Sequence, residues 1–363
     1  MTTLKNIQLP TSWDAPTLTR LTLRDGTSYA TLLADIDAAL GLLNDTLTQS
    51  YPARLLSLTT EAALAYRTGG ASGYEIATEF TTPDAQRAET TGHMLPLTVR
   101  DRKLGWTYLY LLNAPRYQLD ADIAGLIDDT RTAFEHVVYT RLFKLEEESG
   151  PAFGLGASGV STPFADGGAG TVAYTPPPVP NRGGTFAANH SHYLRLDGLT
   201  QANLTTAVKH LWEHGHDGPF ELIVALADLA TWTSKTAFPG YAPKADPLLV
   251  YGADTARARL DDAYIGGIST DYGVCRLTAS GRVPTGYYAI TRSYGPLDPR
   301  NPLRLRYDAT FGFGARLVSS AGQFPLHEAI GMLMFGIGVG PDRTAAVLVK
   351  NAANGNYTTP AIG

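Results

Sequence analysis

Ile265-Gly266-Gly267-Ile268, then Tyr272-Gly273-Val274-Cys275-Arg276, then Arg282-Val283-Pro284-Thr285-Gly286-Tyr287-Tyr288: this stretch decides the fold. Short apolar runs alternate with Gly-Gly, Tyr-Gly and Val-Pro-x-Gly punctuation, the pattern of strands joined by tight turns. Two of the strands continue over 274–278 and 287–291. Cys275, the only cysteine, falls inside one of them and reads as a small buried hydrophobe. A single cysteine allows no intrachain disulfide, as expected of a chain made in a reducing cytosol. Upstream, Leu204, Val208, Leu211 and Trp212 mark a helix that stops at Gly215, and the continuous apolar run 220–226 marks a buried strand. A short helical piece follows near 228–237, and further strand-like segments stand at 248–251, 303–307, 311–318 and 345–349. No repeat with a period of about 20–50 residues is present.

Toward the N-terminus the texture changes. Residues 150–184 hold nine Gly and six Pro and read as a long irregular connection. Ahead of it, Asp120 or Asp122 starts a long helix with an apolar line through Ile123, Leu126, Ile127, Phe134, Val137, Val138, Leu142 and Leu145. At 1.5 Å per residue this helix is about 40 Å long. Glu146, Glu147 and Glu148 follow its negative end, where solvent or a basic partner is required and solvent is the expectation. Residues 74–82 and 95–112 read as two strands around the polar middle 83–92. Such a hairpin spans about 40 Å, against a radius of gyration of about 21 Å for a globule of this size, so its natural support is a neighbouring molecule. Residues 1–26 read as an extended arm, interrupted from 27 to 47 by a helix carrying Leu32, Leu33, Ile36, Ala39, Leu40 and Leu43.

This order of elements resembles the Hong Kong ninety-seven-type major capsid fold of tailed bacteriophages, and the quoted run 265–288 resembles strands of that family's axial domain. Segments 303–318 and 336–349 similarly resemble the strands that close its peripheral domain. The resemblance implies an α+β subunit with an N-terminal arm (1–70), an extended loop (71–113), a peripheral domain carrying the long helix (114–185), an axial domain (186–295) and a return to the peripheral domain (296–363). It implies hexamers and pentamers in an icosahedral head assembled in the host cytoplasm around double-stranded DNA, with portal, scaffolding and decoration proteins as partners. Asp84, Arg87, Glu89 and His93 are then the inter-subunit contacts of the loop tip. Phage members often carry a cleaved N-terminal scaffolding domain. With the arm beginning at Met1, a separate scaffold, prior processing or assembly without one are the options. An encapsulin-like compartment shares the fold and is the alternative. Some members crosslink a loop Lys to a neighbour's Asn. Lys103 is the only lysine in 71–113 and lies well along the returning strand from the tip, so a non-covalent shell is expected.

Composition narrows the chemistry. With 29 basic and 34 acidic residues and a formal charge of −5, the chain has no general attraction for nucleic acid or an anionic membrane, though it can enclose DNA. No run approaches 18 continuous apolar residues, and no basic and apolar leader opens the chain. Gly154-Leu155-Gly156-Ala157-Ser158-Gly159 matches a dinucleotide fingerprint but follows a helix and not a strand, so it reads as a connection. Gly336-Ile337-Gly338-Val339-Gly340 reads as a strand that needs close backbone approach or a bulge. The sharpest catalytic signal is His210-Leu211-Trp212-Glu213-His214, the H-x-x-E-H pattern of inverted zinc peptidases, with two ligands and a water-polarising Glu on one helix face. After His214 the only glutamates are Glu221 and Glu328, neither well spaced as a third ligand, and His190, His192 or His216 would make an atypical site. No stoichiometric zinc, no catalytic or metal residues, no cofactor and no enzymatic activity are therefore expected, with a zinc metallopeptidase as the competing reading.

Overall fold

In the computed structural model the described residues are 22–69, 89–107, 110, 113–152, 157–161, 163–166, 190–244, 264–320 and 326–363. The expected arm over 1–21, the strand 74–82, Asp84, Arg87 and the strand 248–251 lie outside them. The chain divides into two compact units, 1–48 with 99–134 and 310–334, and 49–98 with 135–309 and 335–363.

The first unit is built on two helices. Helix α1 (Tyr29–Gln49) buries Leu32, Ile36, Leu40, Leu43 and Leu47, the helical stripe expected from the sequence. Helix α2 (Arg116–Phe143, 28 residues) begins a turn earlier than Asp120. Its start is fixed from outside, because the Asp25 carboxylate accepts a hydrogen bond from the Arg116 backbone N–H at 3.0 Å. A carboxylate at a helix N-terminus satisfies an orphan donor and opposes the dipole. Arg116 also ion-pairs with Asp120 and with Asp35 of α1, and Trp106 Nε1 donates to Asp122 at 3.0 Å. The Asn44 side chain donates to Ala315 O at 3.1 Å and accepts from Ala315 N at 2.8 Å, so it imitates a strand partner for β14 (Ala315–Ser320). Strand β14 pairs with the first part of β15 (Leu326–Val339).

The second unit holds a seven-stranded sheet in the order β7-β16-β12-β8-β11-β10-β9. Its members are β7 (Tyr193–Leu196), β8 (Phe220–Ala225), β9 (Tyr241–Pro243), β10 (Tyr264–Thr270), β11 (Gly273–Ser280), β12 (Tyr287–Arg292) and β16 (Ala346–Asn351). Every residue of β8 is buried, as its unbroken apolar run required. Helix α3 (Gln201–Glu213) is capped by Thr200, whose side chain accepts from Asn203 N. It lays Leu204, Ala207, Val208 and Leu211 on the face formed by Phe220, Leu222 and Val224 of β8, Cys275 and Leu277 of β11, Tyr288 and Ile290 of β12, and Val347 and Val349 of β16. On the alternate residues of the same strands Glu221 is buried, with Arg54 at 3.4 Å and Arg276 at 3.7 Å.

Several expectations are corrected here. Residues 51–59 are not arm: Tyr51–Leu55 is a buried 3-10 turn, and β1 (Leu56–Thr59) pairs in parallel with β13 (Leu303–Tyr307) because Leu55 and Leu56 are wholly buried. The ascending strand of the hairpin is β2 (Ala63–Gly69), and its partner β3 (Glu89–Met94) begins within the expected polar middle. The last strand does not go back to the segment 114–185 but joins strands of 186–295, since β16 lies between β12 and β7, where its continuous apolar residues are buried. Strands β5 (Glu148–Ala152) and β6 (Ala157–Ser161) pair antiparallel, so the second half of the glycine run is strand where a dinucleotide site would begin a helix. Of the glutamates after α2, Glu146 is exposed, as expected, whereas Glu148 is paired with Lys144 and Arg141. Arg141 also donates to the Glu146 carbonyl at 3.2 Å, and Tyr357 Oη donates to Phe143 O at 2.7 Å. A cation and a hydroxyl thus meet the carbonyl end of the helix.

Gly336 was expected to allow close approach, and a Cβ there would lie 1.9 Å from Pro96 O, a backbone atom that cannot swing away. Gly336→Ala is predicted to cost about 3 kcal/mol or more, seen as a lower urea midpoint. Gly41→Ala, inside α1 with nothing within 4 Å of the added carbon, is predicted to stabilise by about 0.5–1 kcal/mol.

Candidate functional site

Two places in the second unit carry functional weight. The first is the root of the β2–β3 hairpin. Its register runs from Ala63 opposite Met94 to Gly69 opposite Glu89, so residues 70–88 connect the two strands. Leu95, Pro96 and Leu97 leave β3 and are buried. Leu95 N donates to Ala62 O and Leu97 N to Pro151 O, each at 2.7 Å, while Arg306 Nη1 donates to Leu95 O at 2.6 Å. A Cβ on Gly159 of β6 would stand 2.2 Å from Pro96 N, so β6 and β15 both press on Pro96 through glycines. The hairpin therefore leaves a root whose backbone is held by five separate contacts.

Of the four residues expected at the loop tip, Asp84 and Arg87 lie outside the described residues. Glu89 is the first residue of β3. His93 is at the root, opposite Leu64 and half-buried, and burial pushes its ring down to about 4. It is not a tip residue.

The second place is a cluster of four histidines. His210 and His214 come from the last turn of α3, and His190 and His192 from the entry to β7, next to β16. His190 stacks on His210 with ring centres 4.9 Å apart, and His192 and His214 are also 4.9 Å apart. His214 Nε2 is 3.4 Å from His190 Nε2. His192 is fully buried, and its Nδ1 lies 2.9 Å from Ala346 O, so that nitrogen carries the proton. One nitrogen each from His190, His192 and His214 all lie within 4.8 Å of one another. Folding thus joins one histidine of the H-x-x-E-H match, His214, to the His-x-His pair upstream. The peptidase geometry is not formed, because His210 is outside the group of three and Glu213 pairs with Lys209 at 3.4 Å. His216 turns to Asp342 and Thr344 instead.

Burial, then the charge on His210, brings His190 down to about 4. Burial, then the charge on His190, does the same for His214. Burial, then His214 and His210, holds His192 well below the ordinary 6.5. His190, His192 and His214 are therefore neutral at neutral pH.

No family model matches the chain, and no curated protein matches it. A solved structure from Mycobacterium phage Patience matches over 98% of this chain and 97% of its own length, with a TM-score of 0.63 at 21% identity. The chain has the Hong Kong ninety-seven-type capsid fold. Weaker matches are the capsid of cyanophage P-SCSP1u (10% identity, 83% of this chain and 87% of that one, TM-score 0.46) and the SrpI encapsulin of Synechococcus elongatus (14%, 87% and 92%, 0.42). Among the described residues no helix is long and apolar enough to cross a membrane.

The unfolded chain protonates its histidines near 6.5, above the folded values of about 4, so acid favours unfolding. Stability present above about pH 6.5 is lost as the pH falls toward about 4. The urea midpoint is predicted to drop between pH 7 and pH 5, less steeply in the double variant His190→Gln/His214→Gln.

Proposed function

We propose that the protein is the shell-forming major capsid subunit of a tailed bacteriophage, assembling into hexamers and pentamers around double-stranded DNA. The observation that carries this reading is the end-to-end likeness to a phage structure, with 98% of one chain and 97% of the other in register. The clamped hairpin root supports it. A hairpin held this firmly at its base acts as a lever only if its far end has something to press on. Residues 83–92 carry charge and no large apolar side chain, so they suit a polar contact with a neighbouring subunit, with Asp84, Arg87 and Glu89 as the contact residues. A portal, a scaffold and decoration proteins complete such a head. A formal charge of −5 fits a subunit that encloses DNA without reading it.

Negative-stain images of the purified protein are predicted to show hollow shells or capsomers, and nucleic-acid analysis of particles from infected cells to show DNA. Particles filled with a protein cargo would make it a compartment shell instead. Replacing 70–88 by a two-residue Asn-Gly turn keeps β2, β3 and the root, and is predicted to leave a folded subunit, by circular dichroism, that builds no stable shells. Shells of normal size from this variant would overturn the loop's role.

The shell is also predicted to be non-covalent. Lys103 sits in β4 (Thr98–Thr107), well past the root, and the Asn351 side chain is engaged by Gly198 N at 2.7 Å. Mature heads boiled in detergent are expected to give one band near 38.8 kDa. A ladder of multimers that vanishes in Lys103→Ala would contradict this.

A further inference from the structure

We propose that His190, His192 and His214 form a binding site for one divalent late first-row transition cation, with zinc as the best-fitting ion. The site goes beyond the shell function and does not depend on it.

The geometry carries the inference. At a tetrahedral ion with metal–nitrogen bonds of about 2.0–2.1 Å, two ligand nitrogens stand about 3.3–3.4 Å apart. His190 Nε2 and His214 Nε2 are 3.4 Å apart. One nitrogen from each of His190, His192 and His214 lies within 4.8 Å of the other two, so a closing movement of the rings completes a face of three ligands.

His192 supplies an independent observation. Its Nδ1–H donates to Ala346 O, which fixes the tautomer and leaves the lone pair on Nε2. That Nε2 is buried and has no hydrogen-bond partner. A buried acceptor without a donor is disfavoured, and a cation relieves it. The carbonyl contact is also the usual second support of a metal-binding histidine.

The donor set selects the ion. Three imidazoles without a carboxylate suit zinc, copper, nickel or cobalt, and not calcium or magnesium, which take oxygen ligands. His210, its Nδ1 3.0 Å from Thr206 O, stacks on His190 and steadies that ring. The bound ion ties the end of α3 to the entry of β7.

Tag-free full-length protein, stripped with a chelator, is titrated with zinc chloride by calorimetry at pH 7.5 and pH 5.5. One zinc per chain, weaker binding at the lower pH and a higher melting temperature with zinc are expected. His190→Ala and His214→Ala each lower the affinity by about a hundredfold or more, whereas His136→Ala on α2 leaves it unchanged. In parallel, cobalt added to the wild-type protein gives the intense visible bands of a tetrahedral nitrogen site. That spectrum decides the question even if a variant fails to fold. No saturable zinc binding, no cobalt bands, or equal affinity in a folded His190→Ala/His214→Ala double variant overturns the site.

Discussion

The contact of the Pro96 carbonyl with Gly336 is the constraint on which the second unit depends. Two backbones lie so close there that no side chain fits between them, and Gly159 repeats the arrangement on Pro96 N. Close approach of this kind leaves no space for slippage, so the register of β15 against β13 and the exit direction of the β2–β3 hairpin are set together. The buried Arg306 guanidinium bonded to Leu95 O adds a charged hydrogen bond to the same point. Three segments distant in sequence thus share one rigid joint, and the hairpin takes its stiffness from the fold beneath it.

Away from the joint, stability comes from conventional means. Strand β8 is the spine of the seven-stranded sheet, flanked by β11 in parallel and β12 in antiparallel pairing. Its alternate residues divide the work: Phe220, Leu222 and Val224 meet α3, while Glu221 is matched by Arg54 and Arg276. A buried carboxylate between two guanidiniums gives little net stability, yet it is strongly unfavourable to disrupt, so it selects one packing of the strand face.

The core of this architecture was legible because it rests on local pattern. The apolar run 220–226, the helix through Leu204 and Leu211, the stripe of α1 and the turn at Pro284-Thr285-Gly286 all have a period or a breaker that reports them. The errors fall where a distant partner decides. Helix α2 starts early because Asp25 reaches its N-terminus, and Glu148 is ion-paired because Arg141 and Lys144 are beside it. Strand β2 was missed because its outer partner begins in a polar stretch that has no strand pattern. The histidine cluster was half visible. The motif on α3 and the His190-Ser191-His192 pair both stand out in the sequence, but only the parallel pairing of β7 with β16 brings them to the helix end.

The first unit is assembled from three separated segments: α1 near the start, the first part of α2, and β14 with the first part of β15 near the end. The apolar stripe of α1 leaves the ribosome long before the strand that Asn44 holds in place. At roughly 5–20 residues per second the interval is on the order of tens of seconds. Throughout it, Leu32, Ile36, Leu40 and Leu43 are exposed to whatever else is nearby, including other unfinished copies from the same message. The order of synthesis therefore opposes early completion of this unit, whose helical stripe is made long before the strand that closes over it.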